Sequence, residues 1–143
     1  MKFATWRQAV RLLLVLGLAP APLAVFSYQG PRLEATYTVT AARPAAGAVS
    51  ITFAFTLENL ENTDTDVERI ELGNLADLDA GYATFDGGTL AGRGTIRGSV
   101  EATVPQSVFD RWQRGGPATL YVYSRGEQGS VRRTRVDAYR VPD

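Results

Sequence analysis

Beyond residue 28, apolar and polar side chains alternate with a period of two along much of the chain. In 33–41, Leu33, Ala35, Tyr37, Val39 and Ala41 are interleaved with Glu34, Thr36, Thr38 and Thr40. In 49–57, Val49, Ile51, Phe53, Phe55 and Leu57 are interleaved with Ser50, Thr52, Ala54 and Thr56. In 95–104, Ile96, Gly98, Val100, Ala102 and Val104 alternate with Thr95, Arg97, Ser99, Glu101 and Thr103. A strand sends successive side chains to opposite faces, so each stretch predicts a strand with one apolar and one wet face. Antiparallel sheets packed on a shared core have this signature. Shorter runs predict further strands over 67–72, 82–85, 119–124 and 131–141. Turn-forming spacers separate them: 42–47, 62–66, 86–88, 91–94, 114–117 and 125–129. One segment breaks the period. Residues 105–113 open on Pro105 and are followed by Gly115 and Gly116, which predicts a short helix with Pro105 in its first turn. Val108, Phe109 and Trp112 would seat it on the core. The fold class expected is mainly β: an antiparallel immunoglobulin-like β-sandwich with one short helix.

The N-terminal segment follows a different rule. Lys2, Arg7 and Arg11 precede an apolar run from Leu12, Leu13, Leu14, Val15 and Leu16 to Phe26, and no charge falls between Arg11 and Arg32. Leu12–Phe26 as a helix would extend ~22 Å at ~1.5 Å per residue, short of a ~30 Å hydrocarbon core. Starting the helix near Phe3 or Trp6 makes the span adequate, with Trp6 at the interface and Arg7 and Arg11 snorkelling. Residues 1–27 are therefore expected to form a signal-anchor transmembrane helix ahead of an exported domain, 28–143. The alternative is a cleaved signal peptide. The small-residue site at Ala19–Ala21 would put Pro22 after the cut, which leaves cleavage after Ser27 as the better choice. The basic flank places the N-terminus in the cytoplasm and the domain in the periplasm.

Composition narrows the chemistry. The chain has 143 residues, no cysteine and no histidine. That removes disulfides, thiolate and imidazole catalysis and the usual zinc sites. Lys2 is the only lysine, and none of the serines lies in a G-x-S-x-G turn. No glycine-rich stretch matches a phosphate loop or a dinucleotide fingerprint. An enzyme is not expected, nor is a cofactor or a small-molecule substrate. Fifteen basic residues balance fifteen acidic ones, which gives no pull toward nucleic acid.

Charge is nonetheless unevenly spread. Residues 58–86 hold Glu58, Glu61, Asp64, Asp66, Glu68, Glu71, Asp77, Asp79 and Asp86 against Arg69 alone. Asn62, Asp64 and Asp66 alternate like the start of an EF-hand loop, but Val67 stands at the glycine position and Gly73 at the bidentate glutamate. A solvated connection rich in turn formers accounts for the stretch; weak Ca²⁺ binding by this loop is the alternative. At the other end, Arg125, Arg132, Arg133, Arg135 and Arg140 crowd the last predicted hairpin. Tyr121 and Tyr123 share one face of the preceding strand. If Leu120 and Val122 take the core side, the tyrosines stand outward beside the arginines; the reverse assignment makes them core. Outward, Tyr121, Tyr123, Arg125, Arg132, Arg133 and Arg135 have the composition of a protein-binding patch. The competing reading is a charged edge, or arginines paired with the acidic stretch.

A small domain on one short, proline-terminated span is best accommodated among other transmembrane helices. The expected function is a non-catalytic accessory subunit of a bacterial inner-membrane complex, with other membrane-protein subunits and the bilayer as partners. In layout, anchor plus exported sandwich, the chain resembles the small accessory subunits of bacterial photosynthetic reaction-centre and light-harvesting assemblies. That resemblance implies a structural role, since without histidine the chain has none of the usual ligands for bacteriochlorophyll magnesium. A soluble periplasmic binding or adhesion module, released by cleavage, is the alternative.

Overall fold

The alternating stretches are strands. In this computed structural model, which describes residues 31–73, 81–126 and 128–142, seven strands and one helix follow in the order β1 (Leu33–Ala45), β2 (Ala48–Asn59), β3 (Thr65–Leu72), β4 (Ala83–Leu90), β5 (Thr95–Pro105), α1 (Gln106–Gln113), β6 (Ala118–Arg125) and β7 (Val131–Arg140). The predicted anchor, including Trp6, Arg7, Arg11 and Leu12–Leu16, lies outside the described residues. Among the described residues, no helix is long and apolar enough to cross a membrane.

The strands form one sheet in the order β4-β3-β6-β7-β1-β2-β5. Five of the contacts between neighbours are antiparallel, as expected. The sixth is not: β1 and β7 run parallel, Ala35–Tyr37 beside Ala138–Arg140, and the Val141 amide extends the pair by donating to the Tyr37 carbonyl at 2.9 Å. Parallel neighbours need a long crossover, and here the rest of the domain between the first and last strands supplies it.

The sheet curves until its apolar face closes on itself. Val49, Ile51, Phe53, Phe55 and Leu57 of β2 are all buried. Phe53 stacks on Tyr37 of β1 with ring centroids 5.2 Å apart, and Trp112 of α1 caps both at 5.7 Å. Farther along, Phe55 meets Phe85 of β4 edge to face at 4.5 Å, linking the first strand of the hydrogen-bonded order to the last but one. Trp112 is buried, while Val108 and Phe109 pack against the core from partly exposed positions.

Several local expectations change, among them the 42–47 turn, most of which is strand because β1 runs on to Ala45 opposite Ala48. Pro105 is the N-cap of α1 rather than a residue of its first turn. The alternation of β1 fails at Ala41, where the pairing with β2 shifts between Thr40 and Arg43 and Ala41 takes φ 49°; the bulge turns it to solvent. Asp86–Gly88 is strand rather than turn. Its glycines lie inside β4, opposite an irregularity of β3 between Val67 and Arg69, and a side chain on Gly87 would run into the backbone of Val67 and Glu68.

Candidate functional site: an outward tyrosine and arginine face

β6 lies between β3 and β7, so its two faces have different fates. Leu120 and Val122 are fully buried toward the core. The period of two then sends Tyr121 and Tyr123 outward, which resolves the orientation that the sequence left open. Register places their neighbours. Tyr121 stands between Glu71 of β3 and Arg135 of β7, and Tyr123 between Arg69 and Arg133.

The side chains interlock, Arg69 with Tyr123 directly opposite and Arg133 with Tyr121 diagonally. The Arg69 guanidinium carbon lies 3.7 Å from the centre of the Tyr123 ring, and that of Arg133 lies 5.1 Å from the Tyr121 ring. Glu71 ties the row together: its Oε1 accepts from Arg69 Nε at 3.1 Å, and its Oε2 accepts from the Tyr123 hydroxyl at 3.2 Å. The hydrogen bond that Arg69 donates to Glu71 pushes the pKa of Arg69 further up from its ordinary value. Tyr121 is nearly buried although it faces outward, while Tyr123 keeps partial exposure.

Arg125 ends β6 at the rim, with Nη2 3.5 Å from Glu68 Oε2. Arg135 pairs with Asp137 of its own strand at 3.2 Å. Arg132 does not belong to this face: it lies opposite Ser124, on the core-side parity of β7, beyond the packed region. The acidic and basic stretches thus meet in part, through Glu68 and Arg125. Sequence reasoning missed Arg69 and Glu71. Arg69, the lone cation of the acidic stretch, and the acids flanking it were the available signal.

The Asn62–Asp66 loop is used in building the turn. Asp64 Oδ1 accepts from the Gly92 amide and Asn62 Oδ1 from Arg93 Nε, both at 2.9 Å. Beneath them, fully buried Asn59 donates through Nδ2 to the carbonyls of Thr63, Leu90 and Ala91, and accepts from the Glu61 amide at 3.0 Å. Among the described residues, no group of three or more acidic side chains is placed to hold a metal ion.

The outward side of β1, β2 and β5 is unlike the tyrosine face. Its open groove is lined by Thr36, Thr38, Ala54, Thr56, Arg97 and Ser99. Hydroxyls and methyls dominate it. No protein-family model matches the chain, and no curated protein matches its sequence.

Proposed function

We propose that this chain is a non-catalytic docking subunit: an exported immunoglobulin-like β-sandwich, held at the bacterial inner membrane by residues 1–27, that attaches to a larger membrane-protein complex through the outward face of β3, β6 and β7. The sandwich reading is supported by strand order. In that reading β1-β2-β5 and β7-β6-β3-β4 are the two layers of the one seven-stranded sheet, with the parallel β1–β7 contact as the join between them.

The observation that carries the docking role is the stack of Arg69 on the partly exposed Tyr123, with exposed Arg133 laid over the covered Tyr121 ring beside it, on an outward sheet face. Aromatic rings and guanidinium forks are the side chains that give most binding energy per residue. These are already held by Glu71 and by stacking, so little side-chain freedom remains to be lost on association. In the groove over β1, β2 and β5, Arg97 stands among threonine and serine hydroxyls and has no ring-stacking contact among the described residues.

The test is purification of the full chain in mild detergent, with identification of co-eluting proteins, for the native sequence and for Arg133→Glu combined with Arg135→Glu. Both arginines are exposed, so the melting temperature should change little while the complex is lost. Unchanged complex yield would assign docking to the N-terminal segment or another face. Intact mass separates the two fates of residues 1–27: a soluble species beginning at Tyr28 would remove the tether.

A further inference from the structure

β5 ends the sheet, and it is a long, regular edge. All eleven of its residues pair with β2 without a register shift, and among the described residues its other side has no strand neighbour. Natural edges are usually blunted by bulges, prolines, shortness or charged side chains; the charges of β5 are one of each sign, Arg97 and Glu101. β4, the opposite edge, has two glycines in its eight residues. β5 has Pro105 only at its very end.

Its outward residues are Thr95, Arg97, Ser99, Glu101 and Thr103, all exposed; between them Ile96 and Val100 stay only partly buried against the core. Arg97 and Glu101 make no ion pair among the described residues. They cannot reach each other, because four strand residues span ~13 Å at ~3.3 Å each.

We propose that β5 pairs antiparallel with β5 of a second copy of this chain, about a twofold axis through Ser99. In that register Arg97 lies opposite Glu101 of the second copy, and Glu101 opposite its Arg97. Thr95 meets Thr103, Ile96 meets Ala102, and Val100 meets Gly98. The same surface is used by both copies, as a closed twofold dimer requires. Neighbouring alternatives are worse. Sliding the pair so that Arg97 or Glu101 lies opposite itself sets like charges against each other, as does parallel pairing in register. A one-residue slip exchanges inward and outward faces. The outward rows would then run across the junction: Thr40, Thr52 and Glu101 of one copy continue into Arg97, Thr56 and Thr36 of the other.

The proposal is independent of the tyrosine face and is tested on the full chain in detergent micelles. The chain has no cysteine, so Ser99→Cys introduces a single thiol at the axis. Directly opposed residues of antiparallel strands have Cα atoms ~4.5–5.5 Å apart, within disulfide reach. Mild oxidation should give a covalent dimer for Ser99→Cys and none for Thr103→Cys, which lies far from its own copy in this register. In sedimentation equilibrium, Arg97→Glu or Glu101→Arg alone should raise the dimer dissociation constant roughly tenfold or more, by turning two attractive contacts repulsive. The double exchange, Arg97→Glu with Glu101→Arg, should restore it. A native chain that stays monomeric, equal crosslinking at positions 99 and 103, or a double exchange that fails to rescue would each overturn the proposal. Thermal melts of each variant keep misfolding apart from lost association.

Discussion

The ring of Tyr121 occupies the space that a side chain on Gly73 would need: a Cβ there would overlap its Cδ2 and Cε2 edge. Gly73 follows directly on the end of β3 and Tyr121 lies within the neighbouring β6, and the missing side chain of one lets the other lie flat on the sheet. This is how an outward tyrosine comes to be 94% covered, with a relative exposure of 6%. Gly73→Ala should therefore destabilise the domain by about 1–3 kcal/mol, the range for overpacking a filled site. The rings of Phe55 and Phe85 crowd Gly98 in the same way from the core side, and Gly98→Ala should cost a similar amount. Chemical denaturation of the two variants checks both. The optical signature should differ, since only Gly73→Ala displaces a tyrosine from beneath an arginine.

Face specificity within β2 gives a second expectation. Phe53 is fully buried between Tyr37 and Trp112, and its neighbour Thr52 points outward. Phe53→Ala should cost ~3–5 kcal/mol, the range for emptying a buried aromatic site. That is a large part of the ~5–15 kcal/mol total typical of a domain. Thr52→Ala should stay within about 0.5 kcal/mol. Equal losses at the two positions in urea titrations would mean that β2 is covered on both faces.

The fold was legible where one periodicity dominated. In β2, five large apolar residues at alternate positions admit one facing, and the strand found there extends the expected one by a residue or two. β4 was harder to read because Gly87 and Gly88 signal a turn locally, whereas the contact that requires glycine is with β3, distant in sequence. The tyrosine face was half legible for a similar reason. Adjacent residues on β6 and β7 announced themselves as Tyr and Arg, but Arg69 and Glu71 come from β3. Only cross-strand register brings them beside Tyr123. Polarity alone could not separate Asn59, a buried structural residue, from the solvated acids that follow it.

Asn59 makes a third expectation. Its amide bridges the 59–64 loop to the carbonyls at Leu90 and Ala91, so one side chain joins two turns at the same end of the domain. Asn59→Ala removes that bridge and leaves buried backbone groups without partners, at ~1–3 kcal/mol for each group left unsatisfied. Asn59→Leu should be no better despite its similar size, because volume does not replace the hydrogen bonds. Hydrogen exchange should locate the effect: the amides of Glu61, Gly92 and Arg93 should lose protection first. If exchange instead rises evenly across all strands, the residue matters to the core rather than to the turns.

Alkaline pH supplies the last expectation. Burial pushes the phenol of Tyr37 up from its ordinary value, against the opposing pull of Arg140 and Arg111, and its hydroxyl donates to the Gly116 carbonyl at 3.3 Å. Burial raises Tyr82 as well, again opposed by Arg111. In the unfolded chain both titrate near ~10. Between that value and the higher folded one, the native state holds more protons than the unfolded state, so stability falls as pH rises. The contribution is fully present below about pH 10 and is lost as pH climbs through the folded values. Melting temperatures should be level near neutrality in this respect and drop above about pH 10, with a shallower drop in Tyr37→Phe. Tyrosinate absorbance checks the same assignment independently. Tyr37 and Tyr82 should ionise late and cooperatively with unfolding, and Tyr37→Phe should remove part of that late step. An alkaline melting profile indifferent to Tyr37→Phe and Tyr82→Phe would mean that neither phenol is protected in the folded chain.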